Sequence, residues 1–332
     1  LAKCVKSLLD CRGFDPIASS RKKVPLGIVV VNYKSHDETL HFIDRELTKI
    51  EIPHVIVVVN NADDGNHGLQ LAAALKAQPY RSNDLQESPR VNRIVISEPE
   101  NLGYGRGNNL GFEFLDRHYE TNWVLISNND LVLNEHRVVE SLIEIGNADP
   151  KIGAIGPSIR TPQHQNQSPH RYLTIWWMLI FPKLFYPVWS IFQKMGYGKE
   201  VITGAASGTY FRIMGCFFLV RTDAFRQAAG FDVRTFLYGE EAILSARLRE
   251  HGFETYFSAE HEVIHHHQQT TSTYFSTRKT RAITLDSLLV FYHHYDHQPK
   301  WVCQLARFSD WIDAKLYEPI ANCFRRLRRP AV

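Results

Sequence analysis

The chain has no C-x-x-C pair, no internal repeat, no low-complexity tract, and no unbroken apolar run near the roughly 20 residues a membrane-spanning helix requires. Each absence removes a class of protein. The five cysteines, Cys4, Cys11, Cys216, Cys303 and Cys323, are odd in number and scattered, which argues against a disulfide framework or zinc site and predicts reduced thiols in a cytosol. A net charge of +3 is too small to predict nucleic acid as a partner. Basic residues do cluster in Arg21-Lys22-Lys23 and in Arg325-Arg326-Leu327-Arg328-Arg329, a composition suited to solvated ends or to anionic lipid. No apolar stretch followed by a small-residue cleavage site marks a signal peptide, and the chain begins at Leu1 rather than methionine, so the natural start can lie upstream. Its 332 residues suffice for one large α/β domain with appendages or for two small domains.

What is present centres on residues 100–111, Glu-Asn-Leu-Gly-Tyr-Gly-Arg-Gly-Asn-Asn-Leu-Gly, followed by the strand-like run 123–126 and then Ser127-Asn128-Asn129-Asp130. Glycine and asparagine would let the backbone approach a ligand closely, with a carboxylate at the end of the next strand. That pairing suits a nucleotide diphosphate and its metal. A dinucleotide fold fits less well. A G-x-G-x-x-G frame begun at Gly103 meets Asn108 at its third glycine, and one begun at Gly105 meets Leu110.

Residues 26–32 form a short β-branched run ending in a polar loop, as a buried parallel strand should, and 54–59 repeats the pattern before Asn60-Asn61-Ala62-Asp63-Asp64-Gly65. Helices are predicted near 39–49, 69–77 and 108–117, and strands at 93–97 and 123–126. Strands alternating with helices predict a mostly parallel sheet whose site lies at the strands' carboxyl edge. Further on, a strand is predicted at 213–220, a short helix from Thr222-Asp223, and a helix opening at Gly239-Glu240-Glu241 and running to about 251. A short strand near 255–257 precedes Val263-Ile264-His265-His266-His267, and two helices finish the chain.

Residues 172–192 hold three of the six tryptophans, yet Pro182, Lys183 and Pro187 interrupt the run. It cannot span a bilayer. Its aromatics and the nearby Lys183, Lys194 and Lys199 suit a segment lying at a membrane interface, or equally a hydrophobic lid or dimer contact.

The order of these motifs resembles glycosyltransferase family 2, the inverting enzymes of the GT-A fold, in its bacterial rhamnosyltransferase-like branch. Matching stretches are 28–33, 57–65, 101–111, 125–130, 230–249 and 263–267, which together run across residues 25 to 270. The resemblance implies an α/β, GT-A type, mostly parallel sheet flanked by helices with a helical C-terminal extension. The implied divisions are an extension at 1–24, a transferase domain at 25–270 with a nucleotide-sugar half (25–130) and an acceptor half (131–270), and an extension at 271–332.

By resemblance, Asn32 and the segment from Asn60 to Asp63 stand where the family holds base and ribose, with asparagine in place of the usual aspartate at 60. Asn101, Gly103, Tyr104, Gly107, Asn108 and Asn128 belong to the same nucleotide-sugar site. Asp130 and His265 stand where the family binds a divalent cation, Mg²⁺ or Mn²⁺, since carboxylate oxygen suits such an ion. Glu241 matches the catalytic base and Glu240 its neighbour, which would hold the acceptor hydroxyl or cap the helix. The family normally has aspartate second in this pair. Read from the residues alone, Arg278, Lys279 and Arg281 after the histidines suit either neutralising the diphosphate or a solvated helix face.

The implied reaction moves a sugar, expected to be rhamnose from dTDP-rhamnose, to a cell-surface or lipid-linked glycan, as in O-antigen synthesis. The implied location is the cytoplasm or the inner face of its membrane, with oligomers open. A sugar-nucleotide pyrophosphorylase would need a basic glycine-rich loop after the first strand, and Val31-Asn32-Tyr33-Lys34-Ser35 has no glycine. A noncatalytic glycan-binding protein would accommodate asparagine at 60 and 128.

Overall fold

The computed structural model describes residues 21–63, 65–266, 276–317 and Pro319. The expectations placed on Cys4, Cys11, Cys323, Asp64, His267, the 325–329 arginines and residues 1–20 lie outside the described residues.

Two-residue strands β1 (Lys22–Lys23) and β6 (Tyr119–Glu120) pair with each other. The main sheet contains β2 (Leu26–Tyr33), β3 (His54–Asn61), β4 (Gln78–Arg81), β5 (Arg93–Glu98), β7 (Trp123–Ser127), β8 (Leu131–Leu133), β9 (Ile152–Arg160), β10 (Gly208–Thr209), β11 (Phe217–Arg221) and β12 (Glu254–His265). Their order is β10-β12-β9-β11-β7-β2-β3-β5-β4, with β8 added to β12. From β4 to β7 every pairing is parallel; β11 is inserted antiparallel between β7 and β9. This is the mostly parallel, helix-flanked sheet expected, and the run from β2 to β7 is built from continuous Val and Ile because both faces are covered.

One face carries Ile28, Val30, Ile56 and Val58 against Phe42, Leu47, Leu71 and Leu142; the other carries Val29, Val57 and Val59 against Phe112, Leu115, Phe225 and Phe231. Helix Tyr104–His118 packs on the second face. It begins four residues earlier than the sequence predicts, so Gly105 and Gly107 join Gly111 inside it. A methyl group at Gly107 would fall 3.1 Å from Val31 and from Asn61 Nδ2, and one at Gly111 would overlap Val29. These glycines bring the helix close to the sheet rather than leave backbone open for a ligand. Only Gly103, at φ 78° before the first turn, needs the left-handed region.

The stretch after Asp130, for which no elements were predicted, holds β8, helix Val138–Ala148 and β9. The short strand expected near 255–257 runs on through Val263 and His265 as one strand, β12, with a register shift against β9 between Phe257 and Glu262.

Residues 176–194 are helical and pack with helices Thr277–His294 and Lys300–Ile312 around a third core of Ile175, Leu179, Ile180, Leu285, Leu289 and Val302. Leu179 is buried, and Trp176 and Trp177 are half-buried. The face that an interfacial segment would present is therefore not the tryptophan pair. Among the described residues no helix is long and apolar enough to cross a membrane.

Candidate active site

A cleft of about 180 Å³ opens at the carboxyl ends of β2, β3 and β7. Strand alternation decides which residues reach it. Asn32 and Asn60 share the face of Val30 and Val58, are 0% and 2% exposed, and bond to each other, Asn32 Nδ2 donating to Asn60 Oδ1 at 2.6 Å. Asn32 Oδ1 accepts from Ser35 Oγ at 3.0 Å and from Thr39 Oγ1 at 2.9 Å. The expected base contacts at Asn32 and Asn60 are thus behind the strand ends. The opposite parity supplies the lining: Val31, Tyr33 and Asn61.

Asp63 is also committed, accepting from the backbone amides of Gly65 and Gly68 at 3.1 Å at the start of helix His67–Ala74. Gly107 and Asn108 are buried in their helix, with Asn108 Nδ2 on Tyr104 O at 3.0 Å, and neither lines the cleft. Asn101, Gly103, Tyr104 and Asn128 do line it. Arg281 meets Asp310 at 2.9 Å and Asp313 at 2.8 Å, joining the two C-terminal helices, while Arg278 is exposed. Neither arginine lines the cleft.

The cleft brings Asp130 and His265 together because His265 in β12 stands opposite Leu131 in β8, one residue past the aspartate. His265 Nε2 approaches Asp130 Oδ1 to 3.3 Å, an electrostatic contact that leaves this buried oxygen without a hydrogen-bond partner. His265 Nδ1 is oriented by Gln167 Oε1 at 3.0 Å. Burial alone would lower the imidazole's pKa, but Cys216 and Asp130 beside it outweigh burial and hold it up at about 10. Burial raises the pKa of Cys216. Among the described residues no group of three or more His, Cys, Asp and Glu is arranged to hold a metal alone.

Glu240 and Glu241 line the same cleft. Tyr238 (φ 69°) and Gly239 (φ 81°) are both left-handed and turn the chain into helix Glu240–Glu250. For tyrosine that conformation is strained, and it falls at the site. Glu240 is 2% exposed with no hydrogen-bond partner for Oε2. Burial, together with neighbouring Glu241, pushes its carboxyl up to about 8.

Glu241 lies over Gly215, where a methyl group would fall 2.7 Å from its Cδ. Tyr104 Oη donates to Gly215 O at 2.6 Å from the other side. Burial first, then the nearby Cys216, Glu241 and Glu240, keeps the Tyr104 hydroxyl neutral well beyond its usual range. Arg212 lies behind, paired with Glu200; burial would lower its pKa, but Glu200 and Glu241 raise it. Sequence reasoning gave no role to Tyr33, Gln167, Arg212, Gly215 or Cys216, and placed Asn61 only within the segment 60–63. Parity within β2 and β3 was a usable signal for Tyr33 and Asn61, and the strand 213–220 was predicted to include Gly215 and Cys216, which precede β11 instead.

Residues 20–284 match the family described as "Glycosyltransferase like family 2". The chain belongs to this glycosyltransferase family. It is 27% identical over 244 residues to the N-acetylglucosaminyl-diphospho-decaprenol L-rhamnosyltransferase of Mycobacterium tuberculosis (strain CDC 1551 / Oshkosh), with 72% of this chain and 75% of the relative covered. Among solved structures, the mannosyltransferase PcManGT from Pyrobaculum calidifontis, in complex with GDP-Man and Mn²⁺, superposes with a TM-score of 0.53 at 12% identity over 93% of this chain and 82% of that one. GalNAc-T7 with UDP, GalNAc and Mn²⁺ gives a TM-score of 0.52 at 12% identity over 90% and 57%. These likenesses establish the GT-A fold of this glycosyltransferase.

Proposed function

We propose that this family member is an inverting, cation-dependent glycosyltransferase that moves rhamnose from a nucleoside diphosphate, dTDP-rhamnose, to a lipid-linked glycan at the inner face of the cytoplasmic membrane. The acceptor class and the sugar are supported by the mycobacterial relative, whose name specifies a diphospho-decaprenol acceptor and L-rhamnose. The observation that carries the reading is one cleft lined by Asp130, His265, Glu240 and Glu241 together.

The donor set fits a divalent cation. Asp130 offers a buried oxygen without a hydrogen-bond partner, and His265, whose other ring nitrogen Gln167 orients, would give up its Nε2 proton on binding the ion, in the arrangement usual for a ligating histidine. Two protein ligands suit Mg²⁺ or Mn²⁺, which take further oxygens from water and phosphate. When bound, the ion would offset charge on the departing diphosphate. Asn101, Tyr104, Asn128, Tyr33 and Asn61 would then surround the nucleotide sugar.

In the same cleft Glu241 would take the proton of the acceptor hydroxyl as its oxygen bonds to the anomeric carbon and the bond to the diphosphate breaks on the other face. Glu240, whose carboxyl is favoured in its protonated form by burial, would donate a hydrogen bond to a sugar hydroxyl. Turnover of a panel of nucleotide sugars on a prenyl-diphosphate-linked acceptor tests the assignment, with dTDP-rhamnose expected to be preferred. Excess chelator should abolish turnover, and Asp130→Ala should weaken both donor binding and rate; full activity in chelator would overturn the cation's role.

A further inference from the structure

Helix Lys300–Ile312 buries Val302, Ala306 and Ser309 against the third core. A helix that met only water on its other side would be polar there. Instead Trp301, Phe308 and Trp311 are 60%, 53% and 58% exposed, and Leu316 just beyond is 52% exposed. A second layer adds Phe185, Val188, Ile191 and Met195, between 43% and 67% exposed. The layers adjoin where Tyr186 stacks on Tyr317 at 5.6 Å and Tyr317 Oη donates to Leu184 O at 3.3 Å.

Charge is sorted around this surface. Lys194, Lys199, Lys300, Arg307 and Lys315 are exposed, Arg307 reaching Asp286 at 2.6 Å. The acids of the same C-terminal helical stretch turn inward, Asp310 to Lys183 and Arg281, and Asp313 to Arg281. In sequence, the chain continues to Arg325-Arg326-Leu327-Arg328-Arg329.

We propose that this two-layer aromatic and basic surface docks the protein on a membrane bearing anionic headgroups. Indole and phenyl rings lower their free energy at the acyl boundary, while lysine and arginine extend to lipid phosphates. A second copy is the poorer occupant, because a two-fold contact would set the same cations against each other. The inference deepens the lipid-linked acceptor assignment and rests on that reading for its purpose: it brings the transferase to the surface where such an acceptor resides.

The test is co-sedimentation of the full chain with vesicles of phosphatidylcholine alone or with about one quarter phosphatidylglycerol. The parent should pellet with the anionic vesicles, less so at high salt. Trp301→Ser/Phe308→Ser/Trp311→Ser should cut partitioning about tenfold or more without lowering the thermal midpoint, since these side chains are exposed. Lys300→Glu/Lys315→Glu, which leaves the rings in place, should weaken binding to the anionic vesicles selectively. The proposal is overturned if the parent stays in solution with anionic vesicles, if the aromatic variant pellets like the parent, or if that variant instead abolishes self-association of the parent. Turnover on a water-soluble acceptor analogue should survive in both variants. Vesicle binding without turnover on any donor would sink the transferase reading and leave the docking surface standing.

Discussion

Glu241 owes its position to a missing side chain. With no Cβ at Gly215, the carboxyl group can lie against the backbone whose carbonyl is fixed by Tyr104 at 2.6 Å. Two outcomes follow at this scale. Glu241→Gln keeps the volume but cannot take a proton, so turnover should fall by about 10²-fold or more while donor binding measured by calorimetry is unchanged. Gly215→Ala keeps the carboxylate but displaces it, and a shift near 1 Å should lower kcat by about 10²-fold with little change in melting temperature; unaltered kcat would remove Glu241 from the reaction. Glu240 carries a pH signature. Its folded value is about 8 against 4.5 for the free group, so its proton's stabilising contribution is full below 4.5 and is lost as pH rises towards 8. Glu240→Gln should remove that decline, which at its steepest is about 1.4 kcal/mol per pH unit, and should make the variant relatively more stable than the parent in melts at pH 8 than at pH 4.

At the scale of elements, the helix bearing both glutamates is held from its far end. Asp232, 2% exposed, accepts from Arg234, from Arg247 at 3.2 Å and from Tyr295 Oη at 2.6 Å, and Arg247 belongs to helix Glu240–Glu250. Burial alone would raise the Asp232 carboxyl, yet these partners hold it down to about 2. Its contribution is therefore present above pH 3.8 and lost as pH falls through about 2. Asp232→Asn leaves arginines partly uncompensated and should cost about 3–5 kcal/mol in urea unfolding; a loss under about 1 kcal/mol would mean that solvent replaces the pair.

Strands β2, β3, β5 and β7 were legible because each is a short β-branched run, and the Asp130–His265 meeting was anticipated through motif order. Asn32 and Asn60 misled because polarity at a strand end does not reveal which face a residue occupies; period-two counting from Val30 and Val58 does. Gly107 and Gly111 misled for a related reason, since sequence cannot distinguish a glycine facing a ligand from one admitting Val31 or Val29. Gln167 gave no signal at all: its role exists only because β9 and β12 run side by side.

Over the whole molecule, the C-terminal helices could be an appendage that melts alone or part of one cooperative unit. Their packing decides between these. Helix Glu240–Glu250 contributes Leu244 and Leu248 to the core against the sheet and Ala242 and Ile243 to the core shared with Leu285, Leu289 and Tyr292. Tyr292 Oη also donates to Leu173 O at 2.7 Å, tying the helix to the segment leading into the tryptophans. One helix thus belongs to both cores, and separating them would expose its apolar side chains and loosen the Asp232 network at the same time. We expect a single unfolding transition in urea, with tryptophan fluorescence, which reports mainly on the third core, coincident with far-ultraviolet circular dichroism, which reports on all elements. Leu289→Ala should lower stability by about 2–5 kcal/mol and move both probes together. If the fluorescence midpoint alone shifts, the helical unit folds independently and the positioning of Glu240 and Glu241 does not depend on it.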